Sequence, residues 1–111
     1  MSPNLDRTFV ALSDPTRRGV VELLRKQPRR ASDLADVLGA SKPAMSRHLR
    51  VLRECGLVTT ASEDDARERI YTLQAEPFRQ LRDWLELVEQ FWSMQLASFK
   101  AHAERTRGRK P

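Results

Sequence analysis

Residues Ser41 to Arg53 read SKPAMSRHLRVLR, and the fold turns on how this stretch is read. Met45, Leu49 and Leu52 recur at i, i+4 and i+7, which predicts one apolar stripe along a short helix. Lys42, Pro43, Ser46, Arg47 and Arg50 fall on the opposite side. Ser41 is placed to cap the helix, its hydroxyl accepting a free backbone N–H of the first turn. Pro43 lies in that turn, where a missing N–H costs little. A helix with an apolar back and a front of Arg, Lys and Ser suits a nucleic-acid groove. Arg and Lys meet phosphates or the O6/N7 edge of guanine, and Ser bonds to either. Alone, the same front equally describes a solvated basic face on an ordinary core helix.

The residues just before shift that balance. Ala31 to Leu38 predicts a short helix with Leu34, Ala35 and Leu38 inward, and Asp33 sits in its first turn, where the helix dipole favours an anion. Gly39 then stops it, with access to positive φ. Two helices joined by a tight Gly-containing turn have the spacing of a helix-turn-helix, whose second helix enters the major groove. Upstream, residues 5–12 predict a short helix with Leu5, Phe9 and Leu12 on one stripe. Eight residues do not hold a helix unaided, so the stripe must dock on something. Ser13-Asp14-Pro15 restarts a helix expected over Pro15 to Lys26, with Val20, Val21, Leu23 and Leu24 inward and Pro28 ending it. Arg25, Lys26, Arg29 and Arg30 near its exit either offset the negative helix end or touch a phosphate backbone.

Downstream, Gly56 closes the basic helix. Residues 57–61 and 68–73 are β-prone and flank a polar turn, Ser62 to Ala66, which predicts a hairpin. Tyr71 and Leu73 share one strand face, toward the core. A hairpin directly after a helix-turn-helix is a wing, with Arg67 and Arg69 near its tip for phosphates or the minor groove. Glu76-Pro77 opens a last helix expected to reach about Arg105. Phe78, Leu81, Leu85, Val88, Trp92, Leu96 and Phe99 step along it at three and four residues, and Trp84, Leu87 and Phe91 widen the stripe. At roughly 25 cal/mol per Å² of apolar surface, several such side chains left in water represent many kcal/mol awaiting a partner. The economical partner is a second copy about a two-fold axis, with the Leu5–Leu12 helix joining the interface; the alternative is an intramolecular core helix. The fold class expected is therefore mainly α with a small β-hairpin, about five helices. Residues 1–104 form one domain, and 105–111 a flexible basic tail.

The ALSDPTRR segment (11–18), the DLADVLGASKPAMSRHLRVLRECGLV block (33–58) and the RIYTL strand (69–73) make the sequence resemble the ArsR/SmtB family of bacterial winged helix-turn-helix regulators. The resemblance covers roughly residues 5 to 100. It implies a homodimer on operator DNA, most often a repressor, dimerising through its first and last helices. By position it implies DNA contacts at Lys42, Pro43, Ser46 and Arg47, flanked by His48 and Arg50, with Ser41 at the helix start. Leu5, Phe9, Leu12, Phe78, Leu81, Leu85, Val88 and Trp92 are the interface candidates. Two departures stand out. The best-known members sense metals through a Cys-x-Cys pair before the recognition helix, or through Asp/His ligands in the last helix. Here Asp33 to Leu38 holds no cysteine, and the last helix offers only His102 with Glu104 nearby. A soft transition-metal site needs three or four converging S/N ligands, so neither a metal nor another cofactor is expected. The wing turn carries Glu63, Asp64 and Asp65, which repel phosphates and keep the tip off DNA.

The 111 residues carry 20 Lys+Arg against 15 Asp+Glu, a formal charge of +5, which favours an anionic partner. Cys55, the only cysteine, excludes an intramolecular disulfide framework and suits a reducing cytosol. Neither a transmembrane run nor a signal peptide is visible, so a cytoplasmic location is expected. No nucleophile–base–orienter set and no Gly-rich phosphate loop appears, which argues against an enzyme. The expected function is a homodimeric, sequence-specific DNA-binding regulator, with no inducer legible. The alternative is a protein-interaction module that uses the last helix, its basic face incidental.

Overall fold

The computed structural model describes residues 3–60 and 69–107. The described chain contains five helices and three short strands. They run α1 (Pro3–Leu12), α2 (Pro15–Leu24), β1 (Arg29–Arg30), α3 (Ala31–Leu38), α4 (Lys42–Glu54), β2 (Val58–Thr60), β3 (Ile70–Leu73) and α5 (Glu76–Arg107). The chain divides into two compact units, Met1–Arg79 and Gln80–Pro111, where the sequence predicts one domain through residue 104. Helix α5 runs through Arg107, past the residue 105 at which the sequence reading starts a tail; residues 108–111 of that expected tail lie outside the described residues.

The first unit is built around α2, α3 and α4. Val20 and Leu24 from α2, Leu34 and Ala35 from α3, and Met45, Leu49 and Leu52 from α4 form one buried cluster. Leu57, Val58 and Tyr71 close it from the strands, and Leu12, Leu38, Leu73 and Phe78 pack at its margin. The stripe expected on α4 is therefore the stripe that is buried. On α1 the buried residues are Leu5, Thr8 and Ala11, a face rotated from the expected Leu5–Phe9–Leu12 stripe, and Phe9 is exposed. Thr8 tolerates burial because its hydroxyl donates to the Asn4 carbonyl one turn back, at 3.0 Å.

Both helices of the α3–α4 pair end in the same device. Gly39 adopts φ +64°, and the Ala40 and Gly39 amides return to the carbonyls of Ala35 and Asp36 at 3.0 and 3.4 Å. Gly56 adopts φ +80°, and the Leu57 and Gly56 amides return to Leu52 and Arg53 at 2.9 and 3.0 Å. These paired bonds satisfy carbonyls that a helix end otherwise leaves bare, and the left-handed residue they need is glycine in each case.

The expected two-stranded hairpin is a three-stranded antiparallel sheet in the order β1-β3-β2. Tyr71 pairs with Arg29 on one side and Thr60 on the other. Strand β1 has only two residues, both Arg, and its extended backbone comes from pairing with β3 rather than from any alternation of its own. It also shortens α2, which stops at Leu24 instead of Lys26. The expected wing turn, with Arg67 and the three carboxylates, lies outside the described residues.

The second unit is the remainder of α5. None of its residues is buried, and Leu85, Leu87, Phe91, Trp92, Met94, Leu96 and Phe99 are exposed. The Phe91 and Trp92 rings meet edge to face, 6.0 Å between centroids. No helix among the described residues is long and apolar enough to cross a membrane.

Candidate nucleic-acid interface

Helix α4 presents its polar face because its apolar face is used up in the core. Ser41 sets where the helix begins: its Oγ accepts the Ala44 N–H at 3.2 Å. From that start, Lys42, Pro43, Ser46, Arg47 and Arg50 are all exposed on the outer side. With side chains on a 3.6-residue period, residues 42, 46 and 50 form one row and residues 43 and 47 the next. Two rows of Lys, Arg and Ser side by side are spaced to reach adjacent base edges or the phosphates flanking a groove.

Arg69 immediately precedes β3, on the turn side of the last β2–β3 pair, and helps to line a half-open groove of about 650 Å³. Lys42, Ser46, Met45 and Leu49 of α4 form one wall, and Ala31, Ser32 and Ala35 of α3 with Tyr71 of β3 complete it. The Arg69 Nε is buried and has no hydrogen-bond partner among the described residues. A guanidinium N–H enclosed without an acceptor costs about 1–3 kcal/mol. Lys42, Ser46 and Arg69 thus converge on one cleft from two elements 23 or more residues apart in sequence. Arg29 has a similarly unpartnered Nε but does not line this groove.

His48 is held differently from its neighbours. It is half-buried, and its Nδ1 lies 3.3 Å from Arg17 Nη1 and 3.8 Å from Asp14 Oδ2. Asp14 caps α2, accepting the Arg17 backbone N–H at 3.0 Å. That bond holds the Asp14 carboxyl below the usual aspartate range; partial burial opposes it, and the nearby His48 and Arg17 charges reinforce it. Nothing in the sequence pattern singles out this contact, because its partners lie 31 residues apart.

The interface candidates divide between covered and uncovered positions. Leu5 is buried within a single chain, while Leu12, Phe78, Leu81 and Val88 are half-buried. Phe9, Leu85 and Trp92 are exposed, as are Val10 and Met94, which the sequence reading does not include. Their spacing gave no cue: Val10 lies off the α1 stripe and Met94 off the α5 stripe. Among the described residues no group of three or more His, Cys, Asp or Glu side chains is arranged to hold a metal, and Cys55 is a free thiol.

A short helix, a glycine turn, a basic second helix and a following antiparallel sheet define the winged helix-turn-helix class. The comparisons with known proteins agree and narrow it. Residues 14–60 match the description "Bacterial regulatory protein, arsR family". The HTH-type transcriptional regulator Rv2034 of Mycobacterium tuberculosis is 36% identical over 94 residues, covering 85% of this chain and 83% of that protein. The transcriptional repressor SdpR of Bacillus subtilis is 36% identical over 55 residues, 50% of this chain and 61% of the repressor. The structure of an ArsR-like transcriptional regulator from Rhodococcus sp. RHA1 superposes with a TM-score of 0.77 at 33% identity, covering 92% of each chain. The chain belongs to the arsR family of bacterial regulatory proteins.

Proposed function

We propose that this protein is a homodimeric, sequence-specific DNA-binding repressor that acts on an inverted-repeat operator. The observation that carries the reading is the convergence of Lys42, Ser46 and Arg69 on one groove beside the exposed face of α4. Lys42 and the Arg69 guanidinium bring positive charge to this groove for a DNA phosphate. Arg47, Lys42 and Ser46 then read base edges, and Arg50 flanks them on the backbone. Repression is carried over from SdpR, which bears that role in its name. The exposed apolar faces of α1 and α5, with Val10, Leu85, Trp92 and Phe99 more than half exposed, are where a second copy docks. Two recognition helices about a dyad enter successive major grooves, which makes the operator an imperfect inverted repeat. The protein acts without catalysis and without a bound metal, and it works in the cytoplasm, where DNA is found.

Fluorescence anisotropy against the DNA upstream of the protein's own gene, beside a scrambled duplex and at two salt concentrations, tests this. Wild type prefers the upstream duplex, and its affinity falls steeply with salt. Arg47→Ala costs about 1–3 kcal/mol and relaxes the discrimination, whereas Arg69→Ala weakens both duplexes alike and lowers the salt slope by about 1. Absence of binding to any duplex at low salt overturns the reading in favour of a protein-interaction module built on α5.

A further inference from the structure

The side chain of Arg17 joins three elements that local sequence leaves independent. Its Nε donates to the Ala11 carbonyl at 2.8 Å and its Nη2 to the Val10 carbonyl at 3.1 Å, both at the C-terminal end of α1. Its Nη1 meets His48 Nδ1 on α4 at 3.3 Å, and its own backbone N–H is fixed by Asp14 at the start of α2. A guanidinium has donors and no acceptor, so in this contact His48 Nδ1 is the accepting atom. Helix α1 has no basic residue in its own last turn; Ser13 donates its amide and hydroxyl to the Val10 carbonyl, and α2 supplies the donors to Ala11 and Leu12. Arg18 shares that duty, its Nη1 donating to the Leu12 carbonyl at 2.8 Å, but no bond from Arg18 to α4 accompanies it.

We propose that Arg17 is a positioning residue for DNA recognition: it clasps the C-terminal end of α1 to His48 of α4, so that the α1 face and the DNA-reading face keep one fixed orientation. The planar, forked guanidinium suits the task, since its donors sit on three nitrogens and are held in fixed directions, whereas an ammonium's donors all radiate from one rotating nitrogen. His48 sits between Arg47 and the buried Leu49, on the turn of helix that carries Ser46 and Arg47 outward. A hold on His48 therefore limits rotation and tilt of the reading face about its buried stripe. Val10 offers its carbonyl to Arg17 and leaves its side chain exposed on α1, so a contact made on the α1 face is one bond away from the clasp. The inference rests on α4 being the DNA-reading helix and assigns its orientation to a residue that does not touch the DNA.

The test is a double-mutant cycle in operator affinity, measured by anisotropy well below the melting temperature of every variant, with the scrambled duplex alongside. Arg17→Ala is expected to lose operator preference about tenfold, a size typical of a residue that acts through another. His48→Ala is expected to lose a similar factor, and the double variant no more than either alone, because both cut one link. Arg18→Ala removes a bond to α1 without touching the link to α4, and it is expected to retain the operator preference. Losses from Arg17→Ala and His48→Ala that multiply overturn the clasp and make His48 a direct reader. A folded Arg17→Ala that discriminates as wild type does also overturns it. If Arg17→Ala does not fold, His48→Ala with unchanged operator preference overturns the proposal by itself. Failure of the wild type to prefer the operator is a different result, which removes the proposed function and not the clasp alone.

Discussion

On α4, Met45, Leu49 and Leu52 are 1%, 2% and 0% exposed; on α5, Leu85, Trp92, Leu96 and Phe99 are 51%, 60%, 66% and 74% exposed. Both helices repeat apolar residues at helical spacing, and both carry charge on the remaining face. The difference lies in what each chain supplies to cover them. Helix α4 is backed by α2, α3 and the strands, so its apolar face is spent on folding and its polar face is free for recognition. Leu85, Trp92, Leu96 and Phe99 of α5 lack such cover within the chain, so there the apolar face is the one left for a partner. Amphipathic spacing alone thus says that a helix has a face to bury, not whether the cover comes from its own chain.

Substitutions on the two helices sharpen that contrast. The largest effect is expected from Leu52→Ala, which empties a fully buried position and lowers unfolding free energy by about 2–5 kcal/mol. Denaturant melts should show this loss at every protein concentration. Trp92→Ala removes an exposed ring from α5, and its effect is to weaken association roughly 30-fold, as expected for a truncated aromatic anchor worth ~2 kcal/mol. Dilution series followed by light scattering read it out, and the monomer at low concentration should be as helical as wild type. A Leu52→Ala defect that disappears on concentrating the protein, or a Trp92→Ala defect independent of concentration, would reverse the roles assigned to the two faces.

The smallest effect is expected at the junction behind α4. The Arg17 N–H lowers the Asp14 carboxyl below its ordinary range, so the folded state favours the ionised form. The stability this contributes is present above the unfolded pKa and is lost as pH falls through the lower, folded one. Asp14→Asn keeps a capping oxygen and discards the charge. The stability gap between wild type and Asp14→Asn should be widest near neutral pH and close on acidification below pH ~4. A gap that stays constant across this range in acid-titration melts would mean that the charge contributes nothing.

How much of this was legible from the residues depended on how local the cause was. The α3–α4 pair could be read because its signals are adjacent: a Ser cap, a Pro in the first turn, a Gly after each helix and a stripe at i, i+4 and i+7. The Lys42–Ser46–Arg47 face followed from the same few residues. Strand β1 could not be read, because two arginines become a strand only when Tyr71 and Ile70 arrive as partners. The burial of Thr8 and Ala11 on α1 could not be read, because small side chains carry no periodic signal and these fit only against the rest of the first unit. That Arg69 lines the groove beside α4 could not be read either, because it depends on how β3 packs against α3 and α4. The Asp14–Arg17–His48 junction was invisible for a similar reason, since it exists only once α2 and α4 are packed.

Sedimentation equilibrium of the protein, free and then mixed with the upstream duplex at low salt, addresses the pairing of these two helices most directly. The free protein should have twice the 12.8-kDa mass of one chain, and the complex should hold that same pair on one duplex. A 12.8-kDa species at micromolar concentration that binds the duplex as a single chain would contradict the assignment of α5 as the face that a second copy covers.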